Sequence, residues 1–423
     1  MSTLNDPAAL ESAVRKAVAE VTITDIHTHL FPPSHGEMLL WGADELLTYH
    51  YLVAELFTIA PRDLTPQKFW QMSKPEQADQ VWQHVFLRHG ALSEAARGAI
   101  TTLNRLGLDV AGRDLTGIRK WFAEQKAEQY LPRVFELANL DYAVMTNDPF
   151  KAEEVAHWES GKAGHELLKP ALRIDPLLVN WPAAAATMKA AGYETADELD
   201  PESFAEARSF AEARRFLADW AKRIDPIYMA ASLPPEFHYP SGDLCGRVFR
   251  NVVLPAAREL NLPMAMMIGV RKRVNPALGD GGDGVGVADV TAVQNLCAEN
   301  GDVKFLVTML SRVNQHELCV CARKFGNLHL FGCWWFCNDP SMIEEITRMR
   351  LELLGATVTV NHSDARVLDQ LIYKWPHTRA VVADVLADKY RLLHEAGWRP
   401  TEEEIRRDVR SLFGGAFEEF LAK

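Results

Sequence analysis

Two histidines one residue apart, His27 and His29, close a short apolar run that begins at Val21. Side chains alternate along an extended chain, so residues i and i+2 face the same way and both imidazoles reach one side. Two neutral imidazoles on one face supply half the donors that a divalent metal takes. A third donor, Asp364, stands far away in Asn361-His362-Ser363-Asp364-Ala365-Arg366, at the end of another apolar run. A carboxylate there can complete a His-His-Asp set. It can also act as a base once a substrate shares the site. The competing reading of Asp364 is a cap for the helix that follows.

Those donors meet only if the elements carrying them are neighbours. Eight short, β-rich or continuously apolar runs recur: Val21–Leu30, Tyr142–Thr146, Pro170–Ile174, Ile227–Leu233, Pro263–Val270, Lys304–Leu310, Leu328–Phe336 and Thr357–His362. Helical patterns separate them, as expected for buried parallel strands with crossover helices. The pattern predicts an α/β fold, a (β/α)8 TIM-like barrel, with a doubly wound open sheet as runner-up. Polar groups follow nearly every run, which a ring of functional residues at the strand C-termini requires. The eighth strand of a closed barrel lies beside the first, bringing Asp364 to His27 and His29.

The whole chain, 1–423, reads as one barrel domain. Asp44–Leu140 is too long for a single crossover and reads as a helical insertion over the barrel mouth, with helices over Trp70–Gly90 and Leu115–Leu140. Ala183–Lys222 is a second helical stretch, and Thr401–Lys423 a capped amphipathic helix.

Composition narrows the function. A net charge of −12 argues against nucleic acid or an anionic membrane as partner. The start of the chain lacks the basic and apolar stretches of a secretory signal, and the longest apolar run, Leu262–Val270, is too short to span a bilayer. Six cysteines without paired C-x-x-C spacing read as reduced thiols. Together these predict a cytoplasmic protein; barrels of this size often associate as homo-oligomers. Gly279-Asp280-Gly281-Gly282-Asp283-Gly284 matches G-x-G-x-x-G, but it lies well past its strand and its aspartates oppose a pyrophosphate, so no nucleotide cofactor is expected. It reads instead as a mobile loop at the mouth. Cys319 and Cys321 fall on different faces of a helix and form no site.

Thr24-Asp25-Ile26-His27-Thr28-His29 looks like the first-strand motif of the amidohydrolase superfamily. With Tyr49-His50-Tyr51, Ala171-Leu172-Arg173-Ile174-Asp175, Gly332-Cys333-Trp334-Trp335-Phe336 and Ser363-Asp364-Ala365-Arg366, in that order, the chain resembles the uronate isomerases. The resemblance implies one divalent metal, commonly zinc, on His27, His29 and Asp364. It implies a His50–Tyr51 pair reaching over a small-molecule hexuronate, which Arg173 and Arg366 hold. The implied reaction interconverts D-glucuronate and D-fructuronate through a cis-enediol, with D-galacturonate and D-tagaturonate as a second pair. Asp364 is then the first candidate for the base, with His50 and Tyr51 handling protons on oxygen. Arg273, after the fifth strand, and Trp335, on the seventh, are further candidates for contact with the sugar. Trp334 and Trp335, being adjacent, should face opposite sides.

One departure bears on the alternatives. Met267 occupies the strand-five place where the superfamily usually carries a histidine, and strand four offers no lysine or histidine. A metal-dependent hydrolase, lactonase or decarboxylase would need more ligands than this. A non-catalytic sugar-acid-binding barrel would have little use for Asp364, His50 and Tyr51 together.

Overall fold

The computed structural model describes residues 3–161 and 164–423. Its strands are β1 (Ile23–Asp25), β2 (Leu140–Val144), β3 (Leu172–Arg173), β4 (Met229–Leu233), β5 (Met264–Ile268), β6 (Phe305–Met309) and β7 (Leu328–Leu330). The β1–β2 pair is parallel and extends to a two-residue strand, Leu168–Lys169. A second parallel sheet runs β3-β4-β5-β6-β7, with Met229, Met264 and Phe305 in one register. Parallel bridges continue this order at two points: Asn147 pairs with Leu172, and Phe331 with Thr359. Backbone bonds then join the last segment to the first, Asp364 N–H to His27 O at 3.2 Å and His29 N–H to Ala365 O at 2.8 Å. The chain is thus α/β with parallel strands.

β5 and β6 are buried at every position, which is why they read as unbroken apolar runs. Their alternation divides two cores. Met264, Met266, Phe305 and Val307 pack into the larger cluster with the helices. Ala265, Met267 and Leu306 face a smaller one with Ile26, Val144, Phe331, Trp334, Trp335, Phe417 and Phe420.

Between β1 and β2 lie nine helical segments, among them α1 (His50–Ile59). The long helix expected over Trp70–Gly90 is interrupted: one segment ends at Trp70, and Ser73 and Glu76 form a capping box that starts the next. Likewise Leu115–Ala123 and Ala127–Ala138 replace one continuous helix. This region is tied down by Asp369, which accepts from Gly42 N–H at 2.7 Å and from Tyr130 Oη at 2.5 Å.

Other expectations need correction. Pairing of the seventh run stops with the bridge at Phe331; Gly332 turns with φ +66° and Trp335–Cys337 forms a 3-10 turn. Alternation therefore does not apply to Trp334 and Trp335, and both enter the same cluster. The final helix is two segments, Glu402–Arg410 and Ala416–Ala422. The chain breaks at Gly414 (φ +132°), where a Cβ would come within 2.5 Å of Thr24. That close approach to β1 is what delivers Phe417 and Phe420 to the smaller cluster. No helix among the described residues is long and apolar enough to cross a membrane.

Candidate active site

His27 Nε2 and His29 Nε2 lie 3.6 and 3.3 Å from Asp364 Oδ1. The donor atoms of the three residues fall within 4.8 Å of one another. His27 Nε2 and Asp364 Oδ1 are sealed from solvent with no hydrogen-bond partner, an arrangement that is costly unless something else satisfies them. The neighbours fix the tautomers. The Tyr228 hydroxyl donates to Ile26 O at 2.7 Å, so its 3.4 Å contact with His27 Nδ1 must be accepted from the ring. Thr146 Oγ1 donates to Thr28 O at 3.0 Å and so accepts from His29 Nδ1 at 2.9 Å. Each ring therefore turns a bare Nε2 lone pair toward Asp364, as metal-ligating histidines do. Burial, then the neighbouring His29, pushes His27 down to about 3, and burial with Arg366 holds His29 well below its ordinary value. Both are neutral and able to donate a lone pair. Two imidazoles and a carboxylate suit a divalent cation.

Asp364 itself is left-handed, with φ 51°, which costs about 1–2 kcal/mol in a non-glycine residue. Its turn is gripped from two sides. Asp25 accepts from Ser363 N–H at 3.0 Å and from Trp375 Nε1 at 3.1 Å, while buried Lys374 donates to Ser363 O at 2.5 Å. Asp364 is thus no helix cap; the next helical turn starts at Leu368.

A cavity of about 650 Å³ opens beside these residues, lined in part by His29, Thr146, Arg173, Lys272, Asp280 and Arg366. Arg173 is locked in place: Nε and Nη2 both donate to Asp175 at 2.9 Å. Arg366 pairs through Nη1 with Asp280. His50 sits at the first turn of α1, its ring 5.6 Å from Trp335, and Tyr51 stacks on Phe336. His50 Nε2, Tyr51 Oη and Trp335 Nε1 are buried without partners. Burial first, then the charge of Arg366, pushes His50 down to about 3; burial holds the Tyr51 phenol well above its ordinary value.

Arg273 is not brought to the cavity. It is exposed with φ 55°, and its N–H donates to Asp283. Lys272 lines the cavity instead, its Nζ 5.6 Å over the Trp335 ring. Sequence reasoning also missed Tyr228, Thr146, Lys374 and Asp280. Asp25 was within reach, since Asp25, His27 and His29 continue one alternation. Met267 is buried in the smaller cluster.

Beyond Phe31 on the cavity wall, buried His35 stacks on His157 at 4.8 Å, and burial pushes His35 down to about 4. Below pH 6.5 an unfolded chain protonates this ring while the folded one resists until about 4. Folding stability should therefore fall across that window by about 1.4 kcal/mol per pH unit. We expect His35→Gln to flatten the decline in melting temperature between pH 6.5 and 4; an unchanged slope would remove His35 as a contributor.

No family model and no curated protein matches the chain. Among solved structures it is similar to a uronate isomerase from Bacillus halodurans C-125, at 50% identity and TM-score 0.95, covering 100% of this chain and 98% of that one. It is also similar to a uronate isomerase from Thermotoga maritima, at 16% identity and TM-score 0.75, over 99% and 98% of the two chains. A glucuronate isomerase from Caulobacter crescentus shares the fold at 17% identity and TM-score 0.74, over 99% and 95%. With half its residues identical to the first of these along its full length, the chain belongs to the uronate isomerase family.

Proposed function

We propose that this protein interconverts D-glucuronate and D-fructuronate, and that D-galacturonate is its second substrate. The observation carrying this is the meeting of His27, His29 and Asp364 beside a cavity that holds Arg173 and Arg366, in a chain of this family.

In this reading Asp364 removes the C2 proton of the aldose and returns it to C1. Oδ1 faces the imidazoles, which leaves Oδ2 to carry the proton. As C2–H is lost, its electron pair forms the C1–C2 double bond of a cis-enediol. Tyr51, protonated at every working pH, donates to oxygen, and neutral His50 can both accept and donate. Arg173 and Arg366 hold the C6 carboxylate, for which guanidinium donors suit well. A divalent metal on His27, His29 and Asp364, zinc by donor type, would supply positive charge next to the reacting oxygens.

The sequence of pairings from β1 to Thr359, with the backbone bonds from Asp364 to His27 and from His29 to Ala365, supports an eight-stranded barrel closed between its first and last strands. In the same reading 44–140 is an insertion covering the strand C-termini of a single domain. The six free thiols fit a reducing compartment such as the cytoplasm. The hydrolase alternative is not favoured, because the structure that matches at 50% identity over the full chain is a uronate isomerase.

Incubation of zinc-supplemented protein with D-glucuronate, followed by proton NMR, tests the function. Appearance of the ketose to an equilibrium ratio is expected; unchanged spectra with both aldoses would reject it. Tyr228→Phe tests the ligand geometry, since loss of its hydroxyl frees the His27 ring. Zinc affinity, read by competition with a chromophoric chelator, should drop roughly 10- to 100-fold; unaltered affinity would contradict the assigned tautomer.

A further inference from the structure

The two cavity arginines are held in different ways. The Asp175 carboxylate is fully occupied, binding Arg173 through both oxygens and accepting from Ser232 N–H at 3.1 Å. Glu154 is likewise engaged, by Asn147 Nδ2 and Asp148 N–H, each at 2.9 Å. Asp280 is not: only its Oδ2 is engaged, by Arg366 Nη1, and its side chain, which lines the cavity, is 60% exposed. Burial would raise its carboxyl, but Arg366 outweighs this and holds it below the usual range, so Oδ1 is a charged, unspent acceptor.

Its support is firm. Asp280 lies on a turn (Pro276–Gly282) whose ends close through Asn275 N–H to Gly282 O at 2.9 Å. Trp70 Nε1 donates to Ala277 O at 2.8 Å, and Lys272 pairs with Asp283 at 2.6 Å. The turn rests on α1: a Cβ on Gly281 would come within 2.8 Å of His50 O. The expected mobile loop is therefore anchored to the helix that carries His50 and Tyr51.

An anionic acceptor among arginines repels a carboxylate yet attracts hydroxyl groups, and a hexuronate presents both. We propose that Asp280 determines substrate specificity: its Oδ1 accepts a hydrogen bond from a sugar hydroxyl, so that the hydroxyl-bearing side of the ligand faces this turn and the carboxylate goes to the free edge of Arg366. The inference rests on the uronate reading above.

The test compares wild type with Asp280→Asn, using KM for D-glucuronate and the inhibition constant of glutarate, a dicarboxylate that presents a second anionic group where the sugar presents hydroxyls. The expected result is a KM raised about 10-fold, from loss of a hydrogen bond to a charged group, kcat changed less than about 3-fold, and glutarate bound more tightly as repulsion is removed. A KM and an inhibition constant that rise together would show only a displaced Arg366 and overturn the proposal, as would an unchanged KM. If wild type does not turn over D-glucuronate, the uronate reading fails by itself. Calorimetric affinities of D-glucuronate and glutarate for both proteins then decide Asp280 by the same pattern.

Discussion

Asp364→Asn is expected to lower kcat by ~10³ or more while the fold is kept. General-base catalysis is worth about 10²–10⁴-fold, and an amide cannot take the C2 proton. The substitution also weakens the His-His-Asp set, because a neutral oxygen replaces a charged one facing His27 and His29. Metal content must therefore be measured alongside rate. A large fall in kcat with metal retained identifies Asp364 as the base, and parallel loss of both identifies it as a ligand alone. Activity within about 10-fold of wild type would remove it from the chemistry.

Gly332→Ala should be strongly destabilising for the change of a single methyl group. Gly332 has φ +66°, and a Cβ there would run into the ring of His362, which lies 5.3 Å from His27. The left-handed backbone costs about 1–2 kcal/mol and overpacking typically about 1–3 kcal/mol. A destabilisation of about 3–4 kcal/mol is expected by denaturant unfolding. Gly107→Ala is the control: it follows a helix end closed by Leu108 N–H to Leu103 O at 3.0 Å, φ is +80°, and no atom lies within 4 Å of the added Cβ. It should lose only the backbone part. Equal losses in the two variants would show that the His362 ring gives way freely.

The donor set was legible because period-2 alternation is a strong local rule: it placed His27 and His29 together, and β-adjacency supplied Asp364. His50 and Tyr51 came only through resemblance, since helix periodicity in a long insertion does not say what the helix covers. The groups that hold the site were opaque. A single Tyr228 or Thr146 in an apolar strand reads as core, and only tertiary neighbours reveal the bonds to Ile26 O and Thr28 O. Arg273 lies off the cavity, and Trp334 and Trp335 do not face opposite sides, for one reason: Arg273 and Trp335 lie beyond the paired strand with positive φ, 55° and 46°, so alternation no longer says where a side chain points. The C-terminal helix was read as continuous because its period survives the break at Gly414. What breaks it is contact with Thr24, remote in sequence.

The most direct test of the account is D-glucuronate turnover in D₂O with metal-supplemented wild type, followed by proton NMR. Isomerisation through Asp364 and a cis-enediol predicts deuterium at C1 of the ketose and, through the reverse reaction, at C2 of the recovered D-glucuronate, both lost in Asp364→Asn. Ketose formed with no solvent deuterium at either carbon, over many turnovers, would contradict a proton carried by an exchangeable carboxyl.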